Sequence, residues 1–152
     1  MKKLIIIAIA LFTLNNCGYN PIYSSKNNNF YIEKISQENK NKLNSKIINI
    51  IKKNSNQNSK NTLVLMISSN KKIDIISKDK KGDPSKFQMI ILLNINIIEK
   101  NNYEINKTKN FSANFNYNNN TNKFLLKKYE KEIENILINK VVEKSIIYLS
   151  EL

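Results

Sequence analysis

The stretch from Phe87 to Ile97 limits the possible fold more than any other part of the chain. Phe87, Met89, Ile91, Leu93, Ile95 and Ile97 hold the odd positions, while Gln88, Asn94 and Asn96 hold even ones. Successive side chains of a strand point to opposite faces, so this pattern is a strand with one face on a core and the other toward water. A second run behaves the same way: Phe111, Ala113, Phe115 and Tyr117 alternate with Ser112, Asn114 and Asn116. Lys100-Asn101-Asn102 reads as the hairpin turn between the two. A sheet with one apolar face must be covered by another layer.

The cover is legible in two segments of helical period. Leu43, Ile47, Ile50 and Ile51 predict a helix over residues 37–54. Leu126, Tyr129, Ile133, Ile136, Leu137, Val141, Ile146 and Leu149 mark one stripe of a long C-terminal helix, with Glu and Lys filling its other faces. Phe30-Tyr31-Ile32 opens a short strand ending near Ser36. Leu63 to Ser68 is another strand, which Lys72 to Ser77 continues. The stretch from Lys78 to Pro84 has the composition of a turn. The expected order is β-α-β-β-β-α: an α+β fold with a single mixed or antiparallel four-stranded sheet and two helices packed on one face.

The N-terminus has a different character. Met1-Lys2-Lys3 precedes an apolar run from Leu4 to Phe12, and Thr13-Leu14-Asn15-Asn16 leads to Cys17, the only cysteine. A basic start, a core of about ten apolar residues and a closing cysteine form a bacterial lipoprotein signal. A membrane-spanning helix would need about 20 apolar residues. The expected division is a signal peptide over 1–16, a lipidated tether over 17–29 and a single α+β domain over 30–152. Cys17 is the expected site of lipid attachment, and Asn16 stands where the processing enzyme usually meets a small residue.

Composition bounds the chemistry. The 152 residues carry a formal net charge of +13, with no histidine and no arginine, so every basic side chain is lysine. Lysine attracts anions as a point charge, without the bidentate fork of arginine. Acidic partners of three kinds fit such a chain: nucleic acid, a membrane surface and phosphorylated lipid. The abundance of Asn, Lys and Ile also fits an A/T-rich genome, which would supply part of the lysine without functional cause. With the cysteine assigned to lipid and no histidine, a Cys/His zinc site is excluded. Asp74, Asp79 and Asp83 are the only aspartates and read as turn and surface charge. Neither an enzyme nor a cofactor is expected. Phe111, Phe115 and Tyr117 with neighbouring lysines could also stack on single-stranded nucleic acid, but their alternation favours a core.

The residues Cys17-Gly18-Tyr19-Asn20-Pro21-Ile22-Tyr23 resemble the Cys-Gly-Phe-x-Pro-Leu-Tyr start of alphaproteobacterial members of the LPS-assembly lipoprotein (LptE) family. The strand ending in Phe115-Asn116-Tyr117-Asn118 before a long C-terminal helix is similar as well. The present helix is rich in Ile, Lys and Glu, where that family's is rich in Ala and Arg. The resemblance implies a non-enzymatic outer-membrane lipoprotein, on the periplasmic face. It would assemble inside a large LptD-type β-barrel and contact lipopolysaccharide. Two alternatives remain at this point: an envelope lipoprotein that binds another protein or peptidoglycan, and an exported basic nucleic-acid-binding protein.

Charge clustering, independently of any family, singles out one segment. Lys71, Lys72, Lys78, Lys80, Lys81 and Lys86 lie around two strand ends. Lys78, Lys80, Lys81 and Lys86 are the candidates for contact with lipopolysaccharide phosphates. The competing reading is a solvated basic turn in a lysine-rich chain.

Overall fold

The computed structural model describes residues 28–98 and 104–152. The expected signal peptide, Cys17, nearly all of the expected tether and the expected turn at Lys100-Asn101-Asn102 lie outside the described residues. The element order is β1 (Tyr31–Gln37), α1 (Lys42–Lys53), β2 (Thr62–Lys78), β3 (Pro84–Ile98), β4 (Ile105–Asn118) and α2 (Lys123–Ser150). The expected β-α-β-β-β-α arrangement is therefore the observed one.

The strands form one sheet in the order β1-β2-β3-β4. β1 pairs parallel to β2 across the α1 crossover, and the other two pairings are antiparallel. The odd residues of β3 do what their alternation dictates. Met89, Ile91, Leu93, Ile95 and Ile97 are all buried, against Leu65 and Ile67 of β2 and Phe111 and Ala113 of β4. Each such side chain contributes roughly 1.5–3 kcal/mol of burial. Both helices cover this face: Ile47, Ile48 and Ile51 of α1 share the core with Ile133, Leu137, Ile138 and Val141 of α2. The opposite face carries paired amides, with Asn94 donating to Asn110 at 2.6 Å, Gln88 to Asn116 at 2.9 Å and Thr108 to Asn96 at 2.8 Å.

Two expectations need correction. α1 begins at Lys42, not at residue 37, because Gln37 belongs to β1. The Asn41 side chain accepts from the Asn44 N–H at 2.7 Å and starts the helix there. The expected stripe of α2 also includes two residues that stay outside the core: Tyr129 is 43% and Ile136 47% exposed.

Candidate functional site

The lysine candidates gather at the tip of the β2–β3 hairpin, and a tight local network shapes that tip. Asp79 N–H donates to the Asp83 carbonyl at 2.8 Å, and Gly82 N–H to the Asp79 carbonyl at 3.1 Å. The Asp79 carboxylate also accepts from the N–H groups of Lys81 at 2.8 Å and Asp83 at 2.9 Å. Gly82 has φ of 88°, a left-handed conformation open to glycine and costly for other residues. Beside the turn, Lys78 pairs with Pro84, and Lys86 stands opposite Ser77 and Asn118. Lys78, Lys80, Lys81 and Lys86 are all exposed. The hairpin thus brings four ammonium groups to one end of the sheet. Their flexible stems suit diffuse attraction to phosphate better than fixed geometry.

Lys71 and Lys72 belong to other contacts. Lys72 pairs with Asp74 at 2.9 Å. Lys71 pairs with Glu134 at 2.6 Å, and Lys46 of α1 meets the same carboxylate at 3.2 Å. Partial burial pushes the Glu134 carboxyl up. Hydrogen bonds and charge from Lys71 and Lys46 outweigh that effect and hold its pKa below the ordinary value. One side chain therefore ties α2 to α1 and β2. It was not legible in the sequence, where Glu134 is one of many helix carboxylates.

A second polar feature is hidden at the start of α1. Asn44 is fully buried. It accepts from Ser69 Oγ and donates to the Asn39 carbonyl. The network fixes α1 on β2 at Ser69; beyond this point Ile73 and Ile75 of β2 are 40% and 51% exposed. Toward the hairpin tip the helix-side face continues through an aromatic set. Phe87 and Tyr117 have ring centroids 5.5 Å apart, and Tyr129 meets Tyr117 edge-on at 6.3 Å. Tyr117 donates to Glu130 at 2.8 Å. Burial first, then that hydrogen bond and the Glu130 charge, raise the Tyr117 pKa well above its usual value. Phe111 and Tyr117 are buried and Phe115 is half-buried against the core, so this face is mainly core, with Phe115 reaching the cavity at the end of β4.

A cavity of about 580 Å³ opens where β4 ends and α2 begins, lined among others by Phe115, Asn116, Leu125, Tyr129 and Lys86. Among the described residues no group of three or more Cys, Asp or Glu side chains could hold a metal ion. No described helix is long and apolar enough to cross a membrane.

Neither a family model nor a curated protein matches the sequence. Solved structures do match the fold. The minor lipoprotein of Acinetobacter baumannii aligns with a TM-score of 0.61 at 9% identity, covering 82% of this chain and 92% of that one. Lipoprotein B of Nitrosomonas europaea gives a TM-score of 0.59 at 14% identity, covering 77% and 80%. Rare lipoprotein B of Shewanella oneidensis gives 0.50 at 12% identity, covering 76% and 94%. The chain therefore shares its α+β fold with bacterial lipoproteins.

Proposed function

We propose that the chain is a non-enzymatic outer-membrane lipoprotein, anchored through Cys17. In this reading it assembles with and plugs an LptD-type β-barrel and assists lipopolysaccharide transport to the cell surface. The observation that carries this reading is a fold shared with several bacterial lipoproteins, in a chain whose signal-like start closes on a single cysteine. The Cys17-to-Tyr23 segment supports the family within that class. Two acyl chains or more hold a protein on a membrane where one does so only marginally.

The described chain starts at the end of the sheet opposite the lysine tip. Tyr31 pairs with Thr62 at the start of β2, and Lys78 closes the same strand. The 17 residues of β2 put these ends on the order of 55 Å apart. An anchored N-terminus would thus carry the tip well away from the lipid, where it can meet phosphates in transit.

The test is recovery of C-terminally tagged protein from detergent-solubilised native membranes, followed by mass spectrometry. Stoichiometric recovery of one large β-barrel protein is the expected result. Membrane-bound protein with no barrel would leave an envelope lipoprotein with another partner and remove the transport reading. For the lysine tip, Lys78, Lys80, Lys81 and Lys86 are changed together to Gln. Lipopolysaccharide binding at low salt should fall at least about tenfold, since neutralised charges no longer attract phosphate. Unchanged binding would make the tip a solvated turn.

A further inference from the structure

The outer edge of β4 and one side of α2 together form one continuous surface at the end of the sheet. Pairing fixes which backbone groups face outward. Asn119 N–H donates inward to the Ser85 carbonyl at 2.9 Å, and the register pairs Phe87 with Tyr117 and Met89 with Phe115. In an antiparallel ladder the N–H and C=O of one residue point to the same side and alternate along the strand. The odd residues of β4 therefore bond to β3, and Asn114, Asn116 and Asn118 offer their backbone groups outward. Lys144 of α2 confirms the sense by donating to the Ser112 carbonyl at 3.1 Å. Among the described residues no strand pairs with this edge.

Edge strands are usually blunted by charge, proline or shortness. Lys107 and Lys109 guard the first half of β4. From Phe111 to Asn118 the strand has no charged residue and no proline. α2 adds an apolar shelf beside this half. Leu125, Tyr129, Ile136 and Ile147 recur at spacings of four, seven and eleven and are 49%, 43%, 47% and 38% exposed, with exposed Glu132, Lys140 and Glu143 interleaved on the same stripe. Glu134 faces α1 and β2, whereas Tyr129 and Lys144 reach β4, so this stripe lies on the β4 side. The cavity described above lies at the junction of edge and shelf.

We propose that the outer edge of β4 accepts an added strand from a partner protein: an extended segment of alternating apolar and acidic residues. Its backbone would pair with Asn114, Asn116 and Asn118, and its apolar side chains would seat against Leu125, Tyr129 and Ile136. Main-chain pairing at an edge gives such recognition its affinity, and pockets for alternate side chains give it selectivity. Charge selects the acidic partner. Lys86 borders the cavity, Lys144 reaches the edge, Lys107 and Lys109 stand on the same strand and Lys140 shares the stripe. Lysines therefore outnumber the carboxylates of Glu132 and Glu143 there, and the strongly basic net charge opposes pairing with a second copy. The segment need not come from a barrel.

The test selects binders to the full chain in detergent from displayed random peptides of about twelve residues, enough to run beside half of β4. The expected binders alternate apolar with acidic residues and slow hydrogen exchange at the amides of Asn114, Asn116 and Asn118. Proline at an outward position removes a donor that the sheet does not use. Asn116→Pro also removes the exposed Gln88 amide bond, so it should lower the melting temperature only slightly while weakening binding at least about tenfold. Should that variant fold poorly, Ile136→Asp on the exposed helix face serves the same purpose, with the same expected loss. No enriched peptide, binders indifferent to both substitutions, or protection located away from β4 would overturn the proposal. So would sedimentation of the unliganded chain as a dimer with these amides already protected.

Discussion

Glu134 carries more of the tertiary structure than its sequence context suggests. Its folded pKa lies below the ordinary value of 4.5 because Lys71 and Lys46 favour the charged form. A depressed carboxylate stabilises the fold fully above the unfolded value, and that stability is lost as pH falls through the folded value. Glu134→Gln should therefore cost about 1 kcal/mol at neutral pH and almost nothing near pH 2, since an acidified carboxyl is as neutral as the amide. Urea unfolding of both proteins at the two pH values measures this; an equal difference at both would remove the ionic account. Asn44 belongs to the same scale. Removing its side chain strands Ser69 Oγ in the core, so Asn44→Ala should lower stability by about 1–3 kcal/mol. A shift in urea midpoint worth less than about 0.5 kcal/mol would mean water replaces the amide without loss.

At the scale of elements, alternation and period state which face is apolar, and packing decides how much of it is covered. Ile95 and Ile136 are equally apolar in sequence, yet Ile95 is fully buried and Ile136 is 47% exposed. Ile95→Ala should cost about 2–5 kcal/mol through lost burial and a cavity. Ile136→Ala should stay within about 0.5 kcal/mol. Thermal unfolding of the two variants side by side checks the assignment, and comparable losses would place α2 differently on the sheet. The helix starts follow from single residues. Asn41 caps α1 and Asn122 caps α2, accepting from the N–H groups of Phe124 and Leu125. In a chain with so many asparagines, neither cap stands out from composition. That is why α1 was expected to begin at residue 37.

At the scale of the whole molecule, the fold separates its charges from its core. The lysine tip lies at the far end of β2 from Tyr31, joined to the core by strands, and its lysines are exposed. Neutralising Lys78, Lys80, Lys81 and Lys86 should therefore leave the melting temperature within about 3 °C, as surface substitutions usually do. A circular-dichroism melt tests this beside the binding assay. A large drop would make the tip part of the folding unit and blur any reading of its binding.

The sequence by itself determined the strands and helices, their order, the lysine cluster and the buried face of β3. Each follows from local spacing, because the two-residue period of a strand and the 3.6-residue period of a helix are written along the chain. The tertiary structure alone decided the parallel place of β1 beside β2, the sharing of Glu134 by two lysines, the burial of Asn44 and the exposure of Tyr129 and Ile136. These depend on residues far apart in sequence. Glu134 lies 88 positions from Lys46 and 63 from Lys71, and no local pattern encodes such a meeting. The place of β4 at the edge of the sheet, among the described residues, belongs with them, since which strand ends a sheet is fixed only when all the others have found their neighbours.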